Sequence, residues 1–143
     1  MRASDSGLEL ETSVVVPPSV LLVDSDAPSV KLARHVLESA GWVVRAAPSF
    51  EGAREILAQF LPHVVVTELA PPTQPYEIVT NLRLAVLDVP IVAVTSMNGP
   101  DTEFRALTAG CSGFIRKPID IGTFSSQLLA YLGDDDDHRP PRR

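Results

Sequence analysis

The sequence predicts a doubly wound α/β fold, a five-stranded parallel sheet with five helices in three α/β/α layers, on three observations. Short apolar runs alternate with longer amphipathic ones five times along the chain. Several short runs, above all Val64-Val65-Val66-Thr67, are apolar without a break, as strands covered on both faces are. Capping residues, prolines and glycines fall at the joints between runs.

Taken in order, Val20 to Val23 is the first strand and Ala27 to Ala40 the first helix. Pro28 suits an early helical position, Val30, Ala33, Leu37 and Ala40 share one face, and Gly41 is placed to stop the helix. Trp42 to Ala46 is the second strand, and Ser49 can cap a helix running to about Phe60. Val64 to Thr67 is the third strand, followed by a helix over Tyr76 to Ala85. Pro90 introduces the strand Ile91 to Thr95, and Asp101 to Ala109 is a helix ended by Gly110. A short strand, Gly113 to Arg116, and a helix from Asp120 to Leu132 close the pattern. Residues 1–18 are expected to be a flexible arm, 19–132 the folded domain, and 133–143, with the run Asp134 to Asp137, a disordered acidic and basic tail.

Composition narrows the function classes. The formal charge of −6, from 18 acids against 12 bases, disfavours a nucleic-acid partner, whose phosphates select basic surfaces. The apolar stretch Val14 to Val23 is interrupted by Pro17 and Pro18, so neither a secretory leader nor a membrane span is expected and the cytoplasm is the expected location. The lone cysteine, Cys111, cannot form an internal bridge and suits buried packing in a reducing compartment.

In a doubly wound sheet, ligands sit outside the carboxyl ends of the strands, so those ends carry the functional reading. Here they are Asp24-Ser25-Asp26, Ala46-Ala47, Glu68-Leu69, Thr95-Ser96 and Lys117-Pro118. Singly, each is weak, because an acid after a strand usually caps a helix and a Thr there usually serves a turn. His35, His63 and His138 lie in a helix, at the start of a strand and in the tail, so no nucleophile and base pair is visible and the chain is not expected to be an enzyme.

Together the strand ends do more. The stretches Val20-Leu-Leu-Val-Asp-Ser-Asp-Ala-Pro28, Pro62-His-Val-Val-Val-Thr-Glu-Leu-Ala-Pro-Pro72, Pro90-Ile-Val-Ala-Val-Thr-Ser96 and Ala109-Gly-Cys-Ser-Gly-Phe-Ile-Arg-Lys-Pro118 resemble, in order, four signatures of the response-regulator receiver domain of two-component signalling. The resemblance covers residues 19–132 and implies the flavodoxin-like form of the fold. In that family an aspartate after the third strand is phosphorylated, with Mg²⁺ held by it and by an acidic pair after the first strand. By resemblance, Asp24 is the first member of that pair, Thr95 the hydroxyl that contacts the phosphoryl group, Lys117 its charge partner, and Phe114 the aromatic switch. Lys117-Pro118 matches a bond that is usually cis in the family.

Two departures strike the chemistry. The phosphoacceptor aspartate falls on Glu68, and the second acid of the pair falls on Ser25. Mg²⁺ demands near-ideal octahedral oxygens at roughly 2.0–2.1 Å, so one lost carboxylate and one lengthened by a methylene predict no resident metal, or weak Mg²⁺ at Asp24 and Glu68 only. Asp26, one residue further along, is expected to point elsewhere. The longer Glu68 arm is expected to reach toward Lys117 and Thr95, either imitating a phosphorylated state or only neutralising Lys117. The loop Ala70 to Tyr76 carries three prolines and is expected to be stiff.

The reading that follows is a stand-alone pseudo-receiver that works by phosphorylation-independent protein–protein interaction. Its partner would be another signalling protein, a histidine kinase, phosphotransfer or output protein, or a second copy through the face formed by Asn98 to Leu132. There Phe104, Phe124, Leu128 and Tyr131 are the larger apolar members, a spacing that more often means core than interface. Two alternatives stay open: a working Mg²⁺-dependent phosphoacceptor, and a small-ligand or nucleotide binder at the same rim. The second lacks a glycine-rich phosphate loop after the first strand.

Overall fold

The computed structural model describes residues 16–133, so residues 1–15 of the expected arm and 134–143 of the expected tail lie outside the description. Among the described residues five strands and five helices alternate: β1 Ser19–Val23, α1 Ala27–Ser39, β2 Val43–Ala47, α2 Phe50–Leu57, β3 Val64–Thr67, α3 Glu77–Ala85, β4 Ile91–Thr95, α4 Thr102–Ala109, β5 Gly113–Arg116 and α5 Phe124–Leu129. A 3₁₀ turn, Ala130–Leu132, follows α5. All strand pairs are parallel and the spatial order is β2-β1-β3-β4-β5.

The period of two in each strand divides the core into two layers. Leu21, Val23, Val65, Ile91 and Ala93 face α2, α3 and α4, where Ala53, Val79, Leu82 and Ala106 meet them. Val20, Leu22, Val64, Val66, Val92 and Val94 face α1 and α5, where Val36, Leu37, Phe124 and Leu128 meet them. Trp42 packs into this second layer and its Nε1–H donates to Ser125 Oγ at 2.9 Å, tying the end of α1 to α5. Cys111 is buried, as its composition suggests.

Local chemistry sets the joints. Asp26 caps α1 by accepting from Ser29 N at 3.0 Å, with Pro28 in the first turn. Gly41, Gly110 and Gly133 take φ of 95°, 131° and 81°, conformations that L side chains rarely adopt, where helices α1, α4 and the 3₁₀ turn end. Arg83 on α3 donates to the carbonyls of Val86, Leu87 and Val89 through Nη1 and to Gly110 O through Nε and Nη2, at 2.8–3.2 Å. The α3–β4 and α4–β5 joints are thereby fastened to one side chain.

Most elements begin or end a residue or more from where they are expected. Trp42 precedes β2 instead of opening it, and α2 stops at Leu57 instead of Phe60. The larger correction is at α5, expected from Asp120 and observed from Phe124. Asp120 Oδ1 accepts from Gly122 N at 2.9 Å, and this side-chain turn replaces the first helical turn. At the other end Pro18, expected in the arm, accepts from Val43 N at 2.9 Å and so continues the β1–β2 pairing.

Candidate functional site

The parallel register brings the strand ends together at one edge of the sheet. Glu68 N donates to Val23 O at 2.9 Å, Asp24 N to Ala47 O at 3.0 Å, and Lys117 N to Thr95 O at 2.8 Å, so each residue just beyond a strand is still held by its neighbour. The order of strands then puts Asp24 beside Glu68, with Lys117 reaching across from β5.

Lys117 Nζ lies 2.8 Å from Glu68 Oε1, 3.0 Å from Asp24 Oδ2 and 3.2 Å from Ser29 Oγ. An ammonium has three N–H groups, and these three contacts use them all. The second oxygen of Glu68 accepts from Leu69 N at 2.8 Å, and Asp24 Oδ1 accepts from Asp26 N at 2.9 Å. Burial works against the charge on Lys117, but the hydrogen bonds and negative charges of Glu68 and Asp24 outweigh it, and the ammonium is held above the ordinary lysine pKa. The Lys117, Glu68 and Asp24 side chains are 20%, 20% and 14% exposed, wet enough that solvent weakens each pair below the strength of a dry one.

The other expected residues are placed apart from this cluster. Asp26 is turned to its capping role, accepting from Ser29 N and from Ser29 Oγ at 2.6 Å, and these bonds lower its pKa. Ser25 is exposed. Thr95 is fully buried and its Oγ1 accepts from Met97 N at 3.1 Å. The expected approach of Glu68 to Thr95 is not made: the carboxylate bonds to Lys117 and its own chain instead. Phe114 packs half-buried on the α2/α3/α4 side, with the Arg116 guanidinium 5.1 Å from its ring centroid and donating to Met97 O at 2.6 Å. The Lys117-Pro118 bond is cis, as the family pattern implies, and so is Ala70-Pro71 in the proline loop. Among the described residues no group of three or more His, Cys, Asp or Glu side chains is arranged to hold a metal ion.

Ser29, Arg116 and Arg83 were not singled out in the sequence. Ser29 sits two residues past Ala27, where a serine reads as a helix-start residue, and nothing in its spacing announces a lysine 88 positions away. Arg116 immediately precedes the lysine that draws attention to the stretch. His63, expected at the start of a strand, accepts through Nδ1 from Ser19 N at 3.0 Å at the opposite end of the strands. Of the four large apolar residues of the 98–132 face, Phe124 and Leu128 are core, Tyr131 is half-buried and Phe104 is 71% exposed.

Comparisons with known proteins agree with this geometry. The polar-differentiation response regulator DivK of Brucella anthropi is 27% identical over 123 residues, covering 83% of this chain and 99% of that protein. DivK of Brucella ovis is 26% identical over 119 residues, covering 81% and 97%. A response regulator from Thermotoga maritima superimposes with a TM-score of 0.76 at 17% identity, covering 83% of this chain and 100% of that one. A two-component response regulator from Clostridium difficile gives 0.75 at 19% identity, covering 82% and 97%. Residues 20–128 match the family described as the response regulator receiver domain. With that match spanning most of the chain, the strand order and the acid, acid and lysine convergence at the sheet edge, the protein belongs to the response regulator receiver domain family, a module through which two-component signalling proteins interact.

Proposed function

We propose that this receiver works as a phosphorylation-independent interaction module, a pseudo-receiver, and the observation that carries the reading is the saturated Lys117. A lysine that is to meet a phosphoryl group needs a free N–H; here all three are directed at Glu68, Asp24 and Ser29. Glu68 is a poor acceptor in its own right, because both its oxygens are engaged and its carboxylate is carried one methylene further than an aspartate's. A misplacement of about 1 Å costs on the order of 100-fold in reactions that depend on positioning.

The donor set does not fit Mg²⁺. Asp24 and Glu68 already share the Lys117 ammonium and are oriented by the backbone amides of Asp26 and Leu69, Asp26 is committed to α1, and Ser25 offers only a neutral hydroxyl. Mg²⁺ accepts little distortion of its octahedron, so this arrangement is not one it would hold firmly. Between the two readings of Glu68, the bonding of its oxygens to Lys117 Nζ and Leu69 N, and not to Thr95, favours the simpler: Glu68 neutralises Lys117 and does not imitate a phosphoryl group, which would also draw in the threonine.

The partner is another signalling protein, met through the α4–β5–α5 side, where Phe104, Leu107, Ile121 and Leu129 are exposed by 71%, 40%, 64% and 43%. A second copy of the chain would use the same side. The test is an amide NMR titration with Mg²⁺, followed by mass spectrometry after incubation with Mg²⁺ and a small acyl phosphate. Asp24, Glu68 and Lys117 should shift little at low millimolar Mg²⁺ and no phosphoryl mass should appear. Saturable shifts together with a phosphoryl mass that is lost in Glu68→Gln would replace this reading with a working phosphoacceptor.

A further inference from the structure

A cavity of about 340 Å³ opens against the α1/α5 side of the sheet, next to the Lys117 cluster. Leu22, Val66 and Val94 form its floor, Val30 and Ala33 of α1 one wall, and Phe124 of α5 another, while Asp24, Glu68, Ser29, Ser96 and Lys117 stand at its polar end. Pro118 and Ile119, in the connection that the Asp120 turn completes before α5 begins, also line the space.

Size and lining are those of a small-molecule site. Ligand pockets run from about 300 to 1,000 Å³, predominantly apolar with a few convergent polar groups. A dry cavity of ~150 Å³ accommodates benzene, so this one has room for a body about twice that size.

The polar end selects the charge of the ligand. Two carboxylates, Asp24 and Glu68, face one ammonium, so the cluster carries a net negative charge. Lys117 has no N–H left for an incoming anion, and the N-terminus of α1, which would otherwise favour one, is capped by Asp26. Each of the four oxygens of Asp24 and Glu68 accepts one hydrogen bond, from Asp26 N, Lys117 Nζ, Lys117 Nζ and Leu69 N, and keeps a further lone pair. The net charge that Lys117 leaves uncompensated, together with these lone pairs, favours a second cationic donor over an anion.

The geometry points to a binding site for a small amphiphilic cation, an alkyl or aryl amine whose apolar body lies among Val30, Ala33, Pro118 and Ile119 and whose ammonium lies against Asp24 and Glu68. The site shares Asp24, Glu68 and Lys117 with the cluster of the proposed function and rests on the same saturated lysine. The experiment therefore omits Mg²⁺ and phosphodonor, and its outcome is separable from theirs.

The full chain is titrated with a series of primary n-alkylamines, with phenethylamine, and with alcohols and carboxylates of the same lengths, read by methyl and amide NMR. Saturable shifts should appear at Val30, Ala33 and Ile119 with the amines, and Kd should fall about fourfold per added methylene until the cavity is full. Alcohols should bind at least about tenfold more weakly and carboxylates weaker still, charged hydrogen bonds being the stronger. Ala33→Leu, which fills the space from α1, should abolish binding with an unchanged circular dichroism spectrum, and Glu68→Gln should shrink the advantage of amine over alcohol several-fold. No saturable shift with any amine up to about 10 mM, or carboxylates binding as well as amines, would overturn the proposal; so would an amine preference untouched by Glu68→Gln. Should Ala33→Leu disturb the fold, the wild-type series alone decides.

Discussion

At Lys117, three neighbours hold one positive charge, and the consequence can be measured as a dependence of stability on pH. A lysine whose pKa is raised on folding contributes stability that is fully present below the unfolded value of about 10.4 and is lost as pH rises through the folded value. The resistance of the wild type to denaturant should therefore fall as pH climbs above about 10.4. Glu68→Gln should cost about 1 kcal/mol at pH 7, discounted for the partial exposure of the pair, and should blunt that alkaline loss. An alkaline limb identical in wild type and variant would show that Glu68 does not hold Lys117. Cys111 gives a second test. Burial pushes its thiol up to about 11, the charge of Arg83 pulling slightly the other way, so little thiolate forms near neutrality. Alkylation of the folded protein at pH 8 should run about two orders of magnitude slower than that of a free thiol, and return to the free rate in denaturant.

At the scale of elements, most of the pattern was legible because the period of the apolar residues is a direct consequence of which face is buried. The unbroken Val64 to Val66 run announced a strand covered on both sides, and all three are buried. The start of α5 was not legible. Asp120 reads as a helix cap, and whether its carboxylate instead closes a two-residue turn onto Gly122 is decided by the path the chain takes from β5, which no local signal records. The positions of Asp24, Glu68 and Lys117 were legible from their place after strands. Their partners were not, since Ser29 and the amide of Leu69 are ordinary residues made important by proximity. The β5 to 3₁₀ turn contact offers a test on elements: a Cβ on Gly113 would overlap the ring of Tyr131. Gly113→Ala should destabilise by about 1–3 kcal/mol as an overpacking change. Combined with Tyr131→Ala it should cost less than the sum of the two single changes, as unfolding of the four proteins of the cycle will show.

For the whole molecule, the two-layer core means that α1 and α5 share one side of the sheet and the other three helices the opposite side. Phe124 is fully buried and secures α5 against Val92 and Val94. Phe124→Ala should cost about 3–5 kcal/mol in a single cooperative transition. A second, earlier transition would mean that α5 unfolds apart from the sheet.

Arg83 stitches four carbonyls from two separate joints at the edge of the sheet remote from Lys117. A scaffold pinned there behaves as a fixed pivot. Whatever flexing accompanies recognition is thereby pushed to the opposite rim, and amide hydrogen exchange should be slow around residues 86–90 and 110–112 while the 70–76 and 97–101 loops exchange freely.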